Sequence, residues 1–190
     1  MQQNNPIMSY HTSKKLPYGV SNFITIVEQN NYYVDKTMYI PMLEDEASNL
    51  FFIRPRRFGK SLFLGMLHAY YDCRTKDKFE QWFGKLWIGQ HPTPNQGRYQ
   101  VLHLDFSQVG GKIEKLEENF DFYLGINLDG FVRDYAEYYS EETRKKVYET
   151  TYAGGKLAII QNEAKTKNYP LYLIIDEYDN FTNTVLNEQG

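Results

Sequence analysis

Residues 50–62 have the sequence Leu50-Phe51-Phe52-Ile53-Arg54-Pro55-Arg56-Arg57-Phe58-Gly59-Lys60-Ser61-Leu62. An apolar run leads into a Gly-Lys-Ser triplet, and a helix-like apolar pattern then continues to Tyr71. This order predicts a strand over residues 50–53, a turn, and a helix from about Lys60 to Tyr71. At such a junction, backbone N–H groups and the positive end of a helix face an anion, Lys60 adds a charge, and the Ser61 hydroxyl can bind Mg²⁺. The segment therefore predicts a phosphate-binding loop.

The start of this loop departs from the usual motif. The spacing G-x-x-x-x-G-K-[ST] would place a glycine at position 54, where this chain has Arg54. Pro55, Arg56 and Arg57 follow, and the last two could contact phosphate or pair with carboxylates. Taken alone, the segment fits either a phosphate-binding loop or a solvated basic turn.

A second motif stands near the end of the chain. The apolar run over residues 171–175 ends in Asp176 and Glu177, a pattern that predicts a buried parallel strand. Open α/β sheets bind ligands at the carboxyl ends of their strands, so Asp176 is expected beside the loop, holding Mg²⁺ directly or through water. Glu177 is placed to polarise a water for attack on a γ-phosphate. The alternatives are a strand end with solvent-facing acids and a purely structural Glu177.

Four phrases in the chain, taken together, point to a family. They are Leu16-Pro17-Tyr18-Gly19, Tyr33-Val34-Asp35-Lys36-Thr37, the run from Arg54 to Leu62, and Leu173-Ile174-Ile175-Asp176-Glu177-Tyr178-Asp179. Over residues 16–181 the chain resembles the bacterial AAA-ATPase-like family of P-loop proteins. The Arg-Pro-Arg-Arg-Phe-Gly-Lys-Ser phrase is specific to that family, and an arginine at its first position is the family's normal form.

The resemblance implies a set of site residues and cofactors. It implies ATP binding by the loop, Mg²⁺ bound by Ser61 and Asp176, and catalysis by Glu177 together with Lys60. Members often carry a PD-(D/E)XK nuclease-like domain behind the ATPase, so such a C-terminal domain is a possible partner. The implied nucleotide-binding residues are Arg54, Pro55, Arg56, Arg57, Phe58, Gly59, Lys60, Ser61 and Leu62.

The predicted fold is α/β, a P-loop NTPase parallel sheet flanked by helices. A second central strand is predicted over residues 99–106. Helices are predicted over residues 21–31 with Ser21 as the N-cap, 37–43 capped by Thr37, 79–83, 114–139 and 156–167, and a short strand over 32–35. Glycines at 125 and 130 could interrupt the long helix predicted over residues 114–139.

Two domain segments are expected, a flexible extension over residues 1–15 and a P-loop domain over residues 16–190 that is truncated after its Walker B strand. In the resembled proteins a further strand with a polar sensor residue lies between the loop strand and the Asp176 strand, and it comes later in the sequence. The chain is therefore expected to be the N-terminal part of a longer protein. A gap between the two strands would expose strand edges, which predicts self-association.

Composition limits the classes of protein to which the chain can belong. The chain has 190 residues, of which 42% are hydrophobic, enough to bury a core. A net charge of −3 gives no general attraction to nucleic acid, so such binding is possible only through a local patch. The single Cys73 excludes an internal disulfide, and no signal peptide or membrane-length apolar run occurs. A cytoplasmic location is expected.

Two functions remain open. The leading hypothesis is an ATP-binding module whose full-length protein hydrolyses ATP to drive an attached domain. The alternative is a non-hydrolysing nucleotide-binding module with a regulatory or nucleic-acid-associated role. Asp35, Lys36 and Asp105 could lie near the site, although caps and turns are the preferred interpretation for them. His68 and His103 lie in apolar patterns and are expected to be structural.

Overall fold

The computed structural model describes residues 14–46, 49–53, 55 and 58–179. The predicted contacts of Arg54, Arg56 and Arg57 lie outside these residues. So do most of the predicted extension, residues 1–13, and the last part of the predicted domain, residues 180–190.

Two parallel strands form the sheet in the described part of the chain. Strand β1 is Gln100–Asp105 and strand β2 is Leu171–Asp176. The register places Gln100 opposite Leu171 at one end and Asp105 opposite Asp176 at the other. Parallel strands need a long crossover, which the helices between residues 106 and 170 supply. The two predicted strands and the α/β class are confirmed.

Eight α-helices accompany the sheet in the described ranges. The second predicted helix begins with a short 3-10 turn at Thr37–Tyr39, and Pro41 lies in the first turn of the α-helix that follows, where it costs no hydrogen bond. The helices are α1 Phe23–Glu28, α2 Ile40–Asp45, α3 Lys60–Tyr71, α4 Phe79–Phe83, α5 Trp87–Gln90, α6 Leu116–Asp134, α7 Glu141–Glu149 and α8 Ala153–Thr166.

Helices cover both faces of the sheet, because successive strand residues point in opposite directions. On one face, α3 packs its buried side chains against Val101 and Ile174. On the other face, α6 and α8 pack against Leu102 and Leu104. The second strand is covered less completely, and Leu173 on that face is exposed. The predicted arrangement of a sheet flanked by helices is confirmed for these elements.

The prediction of a strand over residues 50–53 is wrong. This segment has no regular secondary structure, and Phe51 and Ile53 are each 82% exposed. Of its apolar side chains, Phe52 turns inward and stacks on Phe63, with ring centroids 4.9 Å apart. Among the described residues the sheet consists of β1 and β2, and the segment pairs with neither strand. An apolar run without a neighbouring strand has no ladder to join.

The strand predicted over residues 32–35 is also absent. Tyr33 packs edge-on against Phe23, and Asp35 accepts hydrogen bonds that begin the turn at Thr37–Tyr39. The helix cap expected at Ser21 is provided instead by Asn22, whose side chain accepts a hydrogen bond from Thr25 N–H at 2.9 Å. Local hydrogen bonds from backbone N–H groups to side chains explain both the absent strand and the shifted helix cap.

The long helices differ from prediction mainly at their ends. Helix α6 continues without a break through Gly125 and Gly130 and ends at Asp134. Helix α8 begins at Ala153, three residues before its predicted start, because Asp121 of α6 accepts a hydrogen bond from the Ala153 N–H at 2.9 Å. A carboxylate from a neighbouring helix thus caps α8, which no local pattern could reveal.

Candidate phosphate-binding site

The start of α3 supplies the first half of the site. Gly59 precedes the helix with a φ of +77°, a left-handed conformation that glycine adopts without strain. Its carbonyl accepts the helix hydrogen bond from Phe63 N–H at 3.0 Å. No side chain of the described residues caps this end of α3. The first N–H groups of the helix are therefore left to bind an anion, as the sequence predicts for a phosphate-binding loop.

Lys60, the first residue of α3, meets the acidic end of β2. Its Nζ lies 3.1 Å from Asp176 Oδ1, 3.6 Å from Glu177 Oε1 and 3.8 Å from Asp179 Oδ1. Burial acts to lower the pKa of Lys60, but the hydrogen bond to Asp176 and the three negative charges outweigh burial and raise it. The side chain therefore remains a cation at neutral pH.

Asp176 brings the two sequence motifs together. It is the last residue of β2, it is buried, and its Oδ1 lies 3.1 Å from Lys60 Nζ. Burial would raise the pKa of Asp176, but the hydrogen bonds from Ser61 and Lys60 outweigh this and lower it. An ionised carboxylate thus lies beside the lysine of the Gly-Lys-Ser triplet.

Glu177 follows in a strained backbone conformation. Its φ is +54°, which is uncommon outside glycine, and its N–H donates to Asp176 Oδ1 at 2.9 Å. Such strain is concentrated at functional sites. The side chain is 41% exposed and lines the cleft between α3 and β2, where water can reach it.

Asp179 is a member of the site that the sequence interpretation gave no role. Its Oδ1 is buried and has no hydrogen-bond partner among the described residues, although Lys60 lies at ion-pair distance. Buried carboxylate oxygens are normally hydrogen-bonded, so this one is an available acceptor. The signal in the sequence was a third acid two positions after Glu177.

A cleft of about 1160 Å³ is lined by Lys60, Ser61, Glu177 and Asp179, but not by Asp176. Besides the acidic residues, Ser107 lines it from the turn that follows β1. Residues 18–21 form another part of the wall, which sequence reasoning did not assign to the site. The cleft is therefore bounded by an N-terminal segment as well as by the two motifs.

The other proposed loop residues lie at different positions around this cleft. Pro55, Gly59 and Leu62 line it, Gly59 and Leu62 also border a neighbouring cavity, and Phe58 borders only that cavity. Phe58 is 61% exposed although it is aromatic.

Asp35 and Asp105 cap backbone N–H groups, which is the role that the sequence favoured for them. Asp35 Oδ1 accepts from the Thr37 N–H and hydroxyl, and Asp35 Oδ2 accepts from Trp87 N–H at 2.7 Å. Asp105 Oδ1 accepts from Ser107 N–H at 2.9 Å. Both carboxylates are used to fix turns.

The two histidines connect α3 to the sheet. His68 Nδ1 and His103 Nδ1 are 3.4 Å apart, and His68 Nε2 lies 3.3 Å from Asp72 Oδ2. Burial and the neighbouring His68 lower the pKa of His103, against smaller opposite effects of Asp176 and Asp105. Neither histidine lines the cleft.

The donor set suits Mg²⁺ only in part. Ser61 and Asp176 are an oxygen pair of the kind that Mg²⁺ accepts, with the remaining positions taken by water and substrate phosphates. No cluster of three or more His, Cys, Asp or Glu side chains in the described ranges could enclose a metal ion. The residues therefore fit a metal that arrives with a phosphate ligand.

None of the helices in the described part of the chain is both long enough and apolar enough to span a membrane.

Comparisons with known proteins show the family of this chain, and they do not test the geometry of the site. No solved structure matches the chain. An uncharacterized protein in the vnfD 5′ region of Azotobacter chroococcum mcd 1 is 51% identical over 119 residues, which are 60% of this chain and 22% of that protein. The chain thus matches only a small part of this curated relative. The sequence pattern of the AAA-ATPase-like family, described as "Predicted AAA-ATPase", matches residues 17–190, and the chain therefore belongs to this family.

Proposed function

We propose that this chain is the nucleotide-binding part of a P-loop NTPase that binds ATP with Mg²⁺ and hydrolyses it. Family membership indicates a nucleotide-binding, ATPase-like role. The observation that carries the finer proposal is the meeting of Lys60 and Ser61, at the start of α3, with Asp176 at the end of β2. This combination joins an anion site, a cation and an oxygen pair at one edge of the sheet.

Phosphate binding follows from the groups at the start of α3. The free N–H groups of the helix and the Lys60 ammonium all attract phosphate oxygens. Lys60 is held by three carboxylates, so an arriving triphosphate competes with them for the ammonium. Ser61 and Asp176 would hold Mg²⁺, which neutralises charge on the β- and γ-phosphates when bound.

Glu177 is proposed as the group that accepts a proton from the attacking water. A general base needs to lie within hydrogen-bonding reach of the water, on the solvent side of the phosphate. Glu177 lines the cleft and is partly exposed, whereas Asp176 is buried against Ser61 and Lys60. The two acids therefore divide the work, with Asp176 for the metal and Glu177 for the water.

Binding of Mg-ATP to Lys60→Ala tests the proposal. We expect the variant to lose about tenfold or more in affinity, since hydrogen bonds to charged groups contribute about 1.5–3 kcal/mol each. Lys85→Ala is the matched control, because Lys85 is exposed and does not line the cleft. Equal affinity of Lys60→Ala and Lys85→Ala for Mg-ATP, measured by calorimetry, would refute the phosphate-site assignment.

The proposal for the whole protein is broader. Hydrolysis would drive an attached domain of the PD-(D/E)XK nuclease-like kind, in the cytoplasm, where ATP and Mg²⁺ are abundant. Self-association through the exposed face of β2, where Leu173 lies, is part of the same proposal. Tight binding without phosphate release, in the presence of DNA, RNA or candidate partners, would favour a regulatory or nucleic-acid-associated module instead.

A further inference from the structure

The Lys60 ammonium is shared among three carboxylates. Asp176, Glu177 and Asp179 each place an oxygen within 4 Å of its Nζ, at 3.1, 3.6 and 3.8 Å. One positive and three negative charges leave an excess of two negative charges in this group. Among the described residues, Lys60 is the sole cation within ion-pair distance of any of the three acids. A phosphate that takes the ammonium must therefore draw it away from carboxylates that depend on it.

The three acids differ in what remains to them when Lys60 turns to a ligand. Asp176 Oδ1 still accepts a hydrogen bond from the Glu177 N–H at 2.9 Å. The Glu177 side chain is 41% exposed, so water can solvate it. Asp179 Oδ1 is buried and has no hydrogen-bond partner in the part of the chain that the structure describes. Asp179 is therefore the acid whose oxygen loses most when the ammonium moves away.

We propose that Asp179 determines which form of the nucleotide the site accepts, by disfavouring a triphosphate that arrives without Mg²⁺. This inference rests on the proposed function, and it gives a role to an acid outside the phosphate loop and outside the Asp176–Glu177 pair. A metal-free triphosphate adds its full negative charge beside a carboxylate that is losing its cation. Bound Mg²⁺ cancels part of that charge, so the metal complex meets less repulsion.

The surroundings of Lys60 keep this repulsion strong. The side chain of Lys60 is 17% exposed, and its Nζ lies 5.5 Å from the centroid of the Tyr178 ring. Phe51 meets the same ring edge-on, with centroids 6.3 Å apart. Aromatic rings in place of water screen charges weakly, so the negative charge of Asp179 acts on a nearby anion with little attenuation.

The position of Asp179 follows from the backbone at the end of β2. Glu177 has a φ of +54°, which turns the chain directly after the strand. The turn brings Asp179 back toward the first residue of α3 and into the wall of the cleft. The acid thus lies where it can act on the phosphates through its charge, without being one of the pair proposed to hold Mg²⁺.

The proposal predicts a gain of affinity, which other roles of Asp179 do not. Loss of a metal ligand weakens binding of Mg-ATP and leaves binding of metal-free ATP unchanged. Loss of a carboxylate that only supports the fold weakens binding of both forms. Loss of a repulsive charge instead strengthens binding of metal-free ATP, and strengthens binding of Mg-ATP less.

The experiment measures the dissociation constants of the full chain for ATP in Mg²⁺ and in EDTA by titration calorimetry. Asp179→Asn should bind metal-free ATP about threefold or more tightly than the native chain does, the factor expected from one partly exposed charge interaction. Its gain for Mg-ATP should be smaller, so the ratio of the two constants should fall. Raising the ionic strength to about 0.5 M should reduce the gain, because salt screens the repulsion.

Three further variants complete the comparison. Asp179→Ser also removes the charge and should show the same gain as Asp179→Asn. Asp179→Glu keeps the charge and should keep the native ratio. Asp77→Asn is the matched control, since it removes the same charge at an exposed position that does not line the cleft.

The possible outcomes separate this inference from the proposed function. An unchanged ratio in Asp179→Asn and Asp179→Ser, with Mg-ATP bound by the native chain, would overturn the role of Asp179 alone. Weaker binding of both forms, or a loss confined to Mg-ATP, would overturn it as well. So would the absence of binding of metal-free ATP by the native chain and by both of these variants. Failure of the native chain to bind Mg-ATP would refute the proposed function and this inference with it.

Discussion

Lys60 Nζ and Asp176 Oδ1 are 3.1 Å apart and join the first residue of α3 to the last residue of β2. Both side chains are largely shielded from solvent, at 17% and 9% exposure. The ion pair therefore holds the cation that we propose for phosphate binding and the carboxylate that we propose for metal binding in one place. Any change to one partner alters the charge that the other presents to a nucleotide.

Replacing Asp176 by asparagine should remove the effect of Mg²⁺ on ATP binding. The amide keeps the size of the side chain but lacks the negative charge that Mg²⁺ needs from the protein. The dissociation constant for ATP is measured by calorimetry in Mg²⁺ and in EDTA. The two values should differ for the native chain and agree within about twofold for the variant. The exposed Asp77→Asn is the control. A full Mg²⁺ effect in Asp176→Asn would contradict the metal assignment.

Glu177→Gln should separate binding from turnover. The amide cannot accept the proton of the attacking water, and loss of a general base lowers rates by roughly 10²- to 10⁴-fold. Steady-state phosphate release by the full-length protein is the measurement, with ATP affinity expected to stay near the native value. Glu118→Gln, an exposed change on α6, should leave both unchanged. Native turnover in Glu177→Gln would exclude this residue as the base.

Asp72 should make stability depend on acid pH. Burial would raise its pKa, but the hydrogen bonds from His68 and Arg74 outweigh burial and lower the pKa to about 2, from 3.8. Because the folded-state pKa is the lower one, the stabilisation is complete above pH 3.8 and is lost as the pH falls through 2. Its size is on the order of 2 kcal/mol.

Urea unfolding of the native chain and Asp72→Asn from pH 6 to pH 2 measures this contribution. The native chain should be more stable at pH 6, and its advantage should shrink as the pH falls below 4. Asp77→Asn should run parallel to the native chain throughout. A native advantage that stays constant down to pH 2 would show that the Asp72 carboxylate is not responsible.

Two glycines should respond in opposite ways to alanine. Gly125 lies within α6, and a Cβ there would meet no atom within 4 Å, so Gly125→Ala should stabilise by up to about 1 kcal/mol through helix propensity. At Gly89 in α5, a Cβ would lie 2.1 Å from the Phe83 carbonyl oxygen, so Gly89→Ala should destabilise the fold. The unfolding temperatures of both variants, compared with that of the native chain, test the two expectations. Similar changes in unfolding temperature for the two variants would contradict the packing described at Gly89.

The sequence correctly predicted the elements whose local apolar periodicity is enough to specify them. Helix α3 and strand β2 lie where their apolar periodicity places them, and Lys60 and Asp176 meet as the order of the motifs implied. The segment 50–53 has an equally strong apolar run, yet a strand forms only where a neighbour completes its hydrogen bonds. Periodicity carries no information about that neighbour.

The rest of the candidate site depended on contacts between distant segments. Asp179 reaches Lys60 because the backbone turns at Glu177 with a positive φ, which its residue type does not suggest. Residues 18–21, in the wall of the cleft, come from a segment without a phosphate or metal motif. A single sequence gives their residue types but not the distances that bring them to the loop.

The contact between His68 and His103 provides a spectroscopic probe of the packing between α3 and the sheet. His68 lies on the same helix as Lys60, about two turns further along, and its ring meets that of His103 on β1. Neither imidazole lines the cleft, so neither would touch a bound ligand. The ring resonances of this pair in a nuclear magnetic resonance spectrum would therefore report a shift of α3 against the sheet, with no label attached to the protein or the nucleotide.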